Sequence, residues 1–264
     1  MKPLSALKLN KLWWEKMVKE ECGFTQPWLN LDPVVVKKVA NGLIKKVPQP
    51  LNTIFPTSIL KNIKGKSVLC LAGGGGQQSA VFSLLDAHVS VLDISKGQLE
   101  NDKKAAKHYG YKVRTVQGDM SDLKVFENNT FDMVYQSPSM GYVPNVKKVY
   151  REVARVLKPG GIYVADAQNP LAQYIEETSW DGKGYRITVP YAVKEKQRSD
   201  NEKVIEYRHY LSDIFNNLVD CGFSIEHIEE SPPDLYQRNN PKPGTWSHLL
   251  LYAPGIFVIL AKKR

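Results

Sequence analysis

The sequence predicts an α/β fold in which a mostly parallel sheet is covered by helices on both faces. Two observations carry this. From residue 67 onward, short β-branched runs alternate with segments of helical period, the pattern that buries parallel strands beneath crossover helices. The 264 residues, 42% hydrophobic and 24% charged, have globular composition and enough length for one large domain or two small ones. No internal repeat or low-complexity tract interrupts the alternation.

Residues 4–21 carry apolar side chains at helical spacing and stop at Cys22-Gly23, and 33–46 form a second helical candidate. Pro48, Pro50 and Pro56 break the chain beyond it. Strands are expected at 67–71, 88–92, 113–117, 131–135 and 162–167, with helices at 78–86, 96–109 and 146–157 between them. Lys158-Pro159-Gly160-Gly161 closes the last of these helices. A helix at 211–221 ending at Gly222, and strands at 223–229 and 256–261, bring the strands of the sheet to seven. Residues 168–210 are an insertion with a strand pair expected at 185–193 and 203–209. It lies on the carboxyl side of the sheet, where such folds place ligands. The expected organisation is a helical cap over 1–56 and an α/β domain over 57–264, with the insertion forming part of a substrate lid.

Composition excludes several classes. The most apolar stretch, 249–260, is short and holds Pro254 and Gly255, well below the roughly 20 residues of a membrane-spanning helix. The N-terminus lacks the apolar core and cleavage site of a secretory signal. Cys22, Cys70 and Cys221 are odd in number and widely spaced, so neither a disulfide framework nor a metal site is expected, and the setting reads as cytoplasmic. Of the net charge of +9, most sits in residues 1–66, where twelve lysines face Glu15, Glu20, Glu21 and Asp32. Such a basic segment can steer nucleic acid or acidic partners. It contains no arginine, the residue suited to bidentate phosphate contacts, so a solvated lysine surface is the plainer reading.

The sharpest feature is the strand, glycine turn and helix of Ser67-Val-Leu-Cys-Leu-Ala-Gly-Gly-Gly-Gly-Gln-Gln78, followed by a second strand ending in Asp93. Glycines let a ligand approach the backbone and leave amides free at a helix N-terminus. An acid at the end of the next strand is placed to hold a ribose diol. Nucleoside binding follows from the combination. Ser79 stands where a dinucleotide fold needs its third glycine, and the lysine and hydroxyl of a triphosphate loop are missing.

Four motifs in order then resemble the class I S-adenosylmethionine-dependent methyltransferases. They are Val68 to Gly76 with Asp93, Gln117-Gly118-Asp119-Met120, Phe131-Asp132-Met133-Val134-Tyr135-Gln136, and Leu157-Lys158-Pro159-Gly160-Gly161. The resemblance covers residues 65–168 strongly and 205–264 in outline. It implies a Rossmann-like, seven-stranded sheet with an antiparallel last strand, and S-adenosyl-L-methionine as cofactor. It also implies cofactor contacts from Ala72, Gly73, Gly74, Gly76, Gln77, Asp93, Ile94, Gln98, Asp119, Met120 and Gln136. The chain departs from the family at Cys70, where an acid is usual, and at Ala72, where glycine is usual. The glycine tract and the aromatic-rich segment ending in Trp28 resemble a subgroup of uncharacterised bacterial members.

Methyl transfer from a sulfonium is an in-line displacement whose leaving group is already activated, so alignment and dryness matter more than a dedicated base. Asp166, ending the fifth strand, and His248, beside Trp246, are the candidates for orienting or deprotonating an acceptor. His209 precedes the helix at 211 and is expected to fix its entry. Trp13, Trp14 and Trp28 are expected either to close over the pocket or to fill an ordinary core. After strand four, Gln136-Ser137-Pro138-Ser139 keeps one proline and loses the aromatic of base-amine methylating enzymes. A small-molecule acceptor is the leading expectation. RNA or protein methylation, and a non-catalytic cofactor-binding protein, are the alternatives.

Overall fold

A computed structural model describes residues 4–197, 204–230 and 240–264. The main sheet has seven strands: β1 (Ser67–Leu71), β2 (His88–Asp93), β3 (Val113–Gln117), β4 (Phe131–Gln136), β5 (Leu157–Gln168), β8 (Phe223–Glu230) and β9 (Ile256–Lys263). Their spatial order is β3-β2-β1-β4-β5-β9-β8. Pairing is parallel from β3 through β5, and β9 runs antiparallel to both β5 and β8. Strand order reverses between β1 and β4, which opens a crevice at their carboxyl ends.

Alternation along the central strands divides the core. Leu69, Leu71 and Val134 face helices α5 (Val146–Val156) and α6 (Leu211–Asp220), meeting Val149, Val153, Ile214 and Leu218. Val68, Cys70, Met133 and Tyr135 face α3 (Gln78–Leu84) and α4 (Lys96–Tyr109), meeting Val81, Phe82 and Leu99. Helix α2 (Pro33–Ala40) and the loops after it join this second cluster through Val36, Val39, Ile54, Leu60 and Ile63. Helix α1 (Ala6–Lys19) lies outside it, against α4. No described helix is long and apolar enough to cross a membrane.

The strands at 67–71 and 113–117 and the helix at 96–109 fall where the sequence places them. Ser95 caps the helix by accepting from the Gln98 amide, and Gly110 ends it at φ 76°. Three expectations change. The helix starting at Pro33 stops at Ala40 because Asn41 and Gly42, the latter at φ 70°, cap it. Lys158 to Gly161 is a bulge inside a longer β5, since the register jumps between Phe131↔Leu157 and Met133↔Ile162. Gly160 at φ 73° makes the jump possible, and a Cβ at Gly161 would lie 2.8 Å from the Lys158 carbonyl. The strand pair of the insertion is β6 (Glu195–Gln197) with β7 (Ile205–Tyr207). Residues 185–193 do not form a strand; Pro190 lacks the amide a ladder needs, and its carbonyl instead accepts from Val193 in a turn. Lys203, the expected start of the second strand, lies outside the described residues.

Candidate functional site

The glycine turn leaves β1 with Ala72 at φ 51°, a left-handed conformation that costs a non-glycine residue roughly 1–2 kcal/mol. Gly75 and Gly76 follow at 65° and 84°. Several amides of this turn are taken up by the protein. Ala72 donates to the Leu92 carbonyl (2.8 Å), Gly74 to Gln78 Oε1 (3.1 Å), and Gly76 to Asp102 Oδ1 (2.8 Å). Gly74 and Gly76 admit the chain's own segment 23–28. A Cβ at Gly74 would sit 3.1 Å from the Phe24 carbonyl, and one at Gly76 2.9 Å from Pro27 Cβ and 2.7 Å from the Asn101 carbonyl. Gln77 lashes the strap in place, its Nε2 donating to the carbonyls of Gly23 (3.0 Å) and Gln26 (2.9 Å), while the Trp28 amide donates to Gly76 (3.2 Å).

Asp93 ends β2 nearly buried, Oδ1 accepting from the Ser95 amide at 2.8 Å. Burial pushes its carboxyl up to about 8, and Asp102 and Glu15 add to the rise. The Gly118 amide donates to the Asp93 carbonyl (3.0 Å), joining this end of β2 to Asp119 and Met120 after β3. Asp119 and Met120 are half-buried, as is Ile94. Asp119 accepts from the Ser121 amide (2.8 Å), and Met120 Sδ lies 3.4 Å from Gln136 Nε2. The eleven residues expected to contact the cofactor therefore line the carboxyl ends of β1 to β4. Gln136, like Gln77 already engaged by the strap, is an exception in its side chain. It is fully buried, donates to Ser139 Oγ (2.9 Å) and accepts from the Tyr163 hydroxyl, which leaves only its backbone for a ligand.

Three contributors escaped the sequence reading. Asp102, 1% exposed, accepts from the Gly76 amide and the Ser79 hydroxyl, and burial lifts its carboxyl to about 7. The readable signal was Gln98 and Asp102 four residues apart on the inward face of α4. Glu15 of α1 accepts from the Lys96 (2.7 Å) and Gly97 (3.3 Å) amides at the N-terminus of α4, a favourable seat for a carboxylate. Asn10 is 3% exposed and joins three segments. Its Oδ1 accepts from the Ile205 amide (2.8 Å), and its Nδ2 donates to the carbonyls of Ile205 (2.9 Å) and Tyr142 (3.4 Å). No local pattern announces Glu15 or Asn10.

The remaining candidates lie on β5, in the insertion and in the segment before β9. Asp166 in β5 is buried with Oδ1 lacking a hydrogen-bond partner, and burial drives its carboxyl to about 8. His248, in α7 (Trp246–Leu249), is packed edge-on against Trp180 at 4.7 Å, with its Nδ1 hydrogen-bonded to the Tyr185 hydroxyl at 2.7 Å. Trp180, Tyr185 and Tyr252 surround that ring at 4.7–5.7 Å. This packing ties the insertion to the segment before β9. His209 Nε2 donates to the Met140 (3.1 Å) and Val143 (2.9 Å) carbonyls, so it anchors the loop after β4, while Asp213 caps α6. Trp13 and Trp14 pack on Tyr142 over that loop, whereas Trp28 lies against the α2–α3 cluster.

Several buried polar atoms at the carboxyl end have no partner: Gln98 Oε1, Asp102 Oδ2, Ser137 Oγ, Asp166 Oδ1 and Gln168 Oε1. The amide oxygens of Gln98 and Gln168 are pure acceptors, the carboxyl oxygens of Asp102 and Asp166 become so on ionisation, and no described lysine or arginine forms an ion pair with Asp93, Asp102 or Glu15. An acceptor-rich, acid-lined crevice suits a cationic ligand carrying hydroxyl and amino groups. A hollow of about 410 Å³ lined by Ser67, His88, Val113 and Thr130 lies at the opposite, amino end of the strands and contains none of these residues.

Comparison with known proteins identifies the family and the fold. Residues 69–165 match the family model described as methyltransferase domain. The chain is 32% identical over 231 residues to the uncharacterized methyltransferase YbaJ of Bacillus subtilis, covering 84% of this chain and 89% of that one. It is 35% identical over 218 residues to the sterol 24-C-methyltransferase erg6 of Aspergillus fumigatus, spanning 77% of this chain but about half (51%) of that protein. Among solved structures, an S-adenosylmethionine-dependent methyltransferase from Mesorhizobium loti superimposes with a TM-score of 0.66 at 22% identity, over 81% of this chain and 95% of that one. The geranyl diphosphate C-methyltransferase of Streptomyces coelicolor gives 0.64 at 14% identity, over 100% of this chain and 99% of that one. At such identities the structural likeness speaks for the fold.

Proposed function

The chain belongs to the class I S-adenosylmethionine-dependent methyltransferases, and on that premise we propose that it methylates a small molecule enclosed between the N-terminal strap, the loop after β4 and the insertion. When bound, the cofactor supplies an electrophilic methyl group on a positively charged sulfur. The turn at Ala72–Gln77, Asp93, Ile94, Gln98 and the Asp119–Met120 loop would hold it, Asp93 accepting from the ribose hydroxyls. Gln136 contributes through its backbone. Residues 4–28 serve as the cap, while 31–63 serve the core.

The observation that carries the reading is the Asn10 bridge. One buried amide fastens α1 to β7 of the insertion and to Tyr142 after β4, so the crevice is roofed from two sides. A roofed pocket excludes water and admits a compact acceptor. Relatives named for sterols and geranyl diphosphate support a small acceptor, and three unpaired cysteines support a reducing, cytoplasmic setting. The test is incubation of the protein with labelled donor and a cell extract split into metabolite and macromolecular fractions. Label in the metabolite fraction is expected. Label confined to RNA or protein would replace this reading with a macromolecular one.

A further inference from the structure

Beside the cofactor crevice, a second set of polar groups has no partner inside the protein. Ser137 and Asp166 are each 8% exposed, and Ser137 Oγ and Asp166 Oδ1 make no hydrogen bond. The register Gln136↔Ala165 puts Ser137 and Asp166 one step further along the adjacent strands β4 and β5. Asp166 alternates with Ala165 and Ala167, which belong to the α5–α6 cluster, so its side chain takes the opposite face with Val164. Two residues on, Gln168 Oε1 is buried and unpartnered as well. It fills the space a side chain at Gly141 would need. Unpaired buried acceptors cost free energy, and their concentration at one strand end calls for a ligand that donates to them.

We propose that Ser137, Asp166 and Gln168 form the acceptor subsite, and that it selects a protic acceptor, an alcohol or amine, methylated on that oxygen or nitrogen. The proposal rests on the small-molecule reading above. An apolar hydrocarbon acceptor would leave the three groups unpaired; a hydroxyl or amino hydrogen directed at Asp166 Oδ1 satisfies the most expensive of them. Attack by the acceptor's lone pair forms the new bond to the methyl carbon while the carbon–sulfur bond breaks, its electron pair staying on sulfur. The acceptor's proton passes to the Asp166 carboxylate and then to solvent. Proton uptake suits a carboxyl held by burial at about 8. The titratable neighbours whose own ionisation feels Asp166 are Tyr135 of β4 and Tyr163 of β5, both acids, with no described cation opposing the shift.

Asp166→Asn and Ser137→Ala separate this role from a structural one. Burial raises the Asp166 carboxyl above its unfolded value, so its ionisation costs the folded state progressively as pH rises from about 4 to about 8. Asp166→Asn is therefore expected to unfold at a higher temperature than the parent at pH 8 and at nearly the same temperature at pH 4. Its affinity for S-adenosylhomocysteine should stay within about twofold, and both variants should lose at least about tenfold in kcat/KM for the acceptor found in the metabolite fraction. With an isotope-labelled methyl donor, the methyl resonance of the product should report attachment to oxygen or nitrogen, which its position distinguishes. A lower unfolding temperature at pH 8, or a tenfold loss of S-adenosylhomocysteine affinity in Asp166→Asn, overturns the proposal without needing any acceptor. So does a small-molecule product methylated on carbon. Label found only in macromolecules sinks the small-molecule reading instead, so the two failures remain distinct.

Discussion

Asp93 and Asp102 are both buried carboxylates beside the glycine turn, yet they do different work. Asp102 gives Oδ1 to both Gly76 and Ser79 and keeps Oδ2 unpartnered on α4, whereas Asp93 commits one oxygen to Ser95 and stands at the end of β2 where the crevice opens. Cys70, at the position where the family carries an acid, is fully buried and its thiol is pushed up by burial and by Asp102. Ala72 shows a second consequence of departing from the family pattern. Holding φ 51° without glycine stores strain, so Ala72→Gly should stabilise the protein by about 0.5–1 kcal/mol once the extra freedom of glycine in the unfolded chain is deducted. Thermal unfolding checks this; a lower midpoint would mean the turn is relaxed as it stands. The geometry of such a turn is legible in four consecutive glycines, but its occupants are not. Residues 23–28 reach the turn from about fifty positions away, and no local rule of propensity or spacing encodes that approach.

At the scale of elements, helices and strands with strong local signals were readable, and joints made by distant side chains were not. Helix α4 has its start written in Ser95 and its end in Gly110. The docking of α1 on that helix depends on Glu15, whose partners Lys96 and Gly97 lie some eighty residues away. Glu15→Ala should cost about 0.5–2 kcal/mol, the range for losing a carboxylate cap. It should also raise proteolytic sensitivity in residues 4–28, because the strap loses one of its fastenings. Limited proteolysis with mass mapping measures this, and unchanged cleavage would show that Asn10 and Gln77 hold the cap without help. The insertion is legible as an insertion but not in its internal structure, since Pro190 and the aromatic packing of Trp180, Tyr185, His248 and Tyr252 organise 169–194 without strands.

Across the whole molecule, three carboxyls with raised pKa, Asp93, Asp102 and Asp166, face the carboxyl edge of one sheet. Each is protonated more readily in the folded than in the unfolded chain, so stability without ligand should fall as pH climbs from about 4 through about 8. A cation bound beside Asp93 offsets its share of that loss. The thermal shift produced by S-adenosylmethionine should therefore grow between pH 6 and pH 8.5, and it should grow less for its uncharged-sulfur product. Equal growth for both would show that the sulfonium charge is not what the crevice answers to. Net charge of +9 concentrated in residues 1–66 is set apart from this balance, because none of the described lysines there forms an ion pair with the three acids.

The central claim is that the glycine turn and Asp93 together hold the adenosyl cofactor. Titration calorimetry of S-adenosylhomocysteine into the parent and into folded Asp93→Ala tests it most directly. The parent should bind one equivalent, and the variant should bind about 1–3 kcal/mol more weakly, roughly a tenfold to hundredfold rise in Kd. Equal affinity in the two proteins, or no binding by the parent, would contradict it.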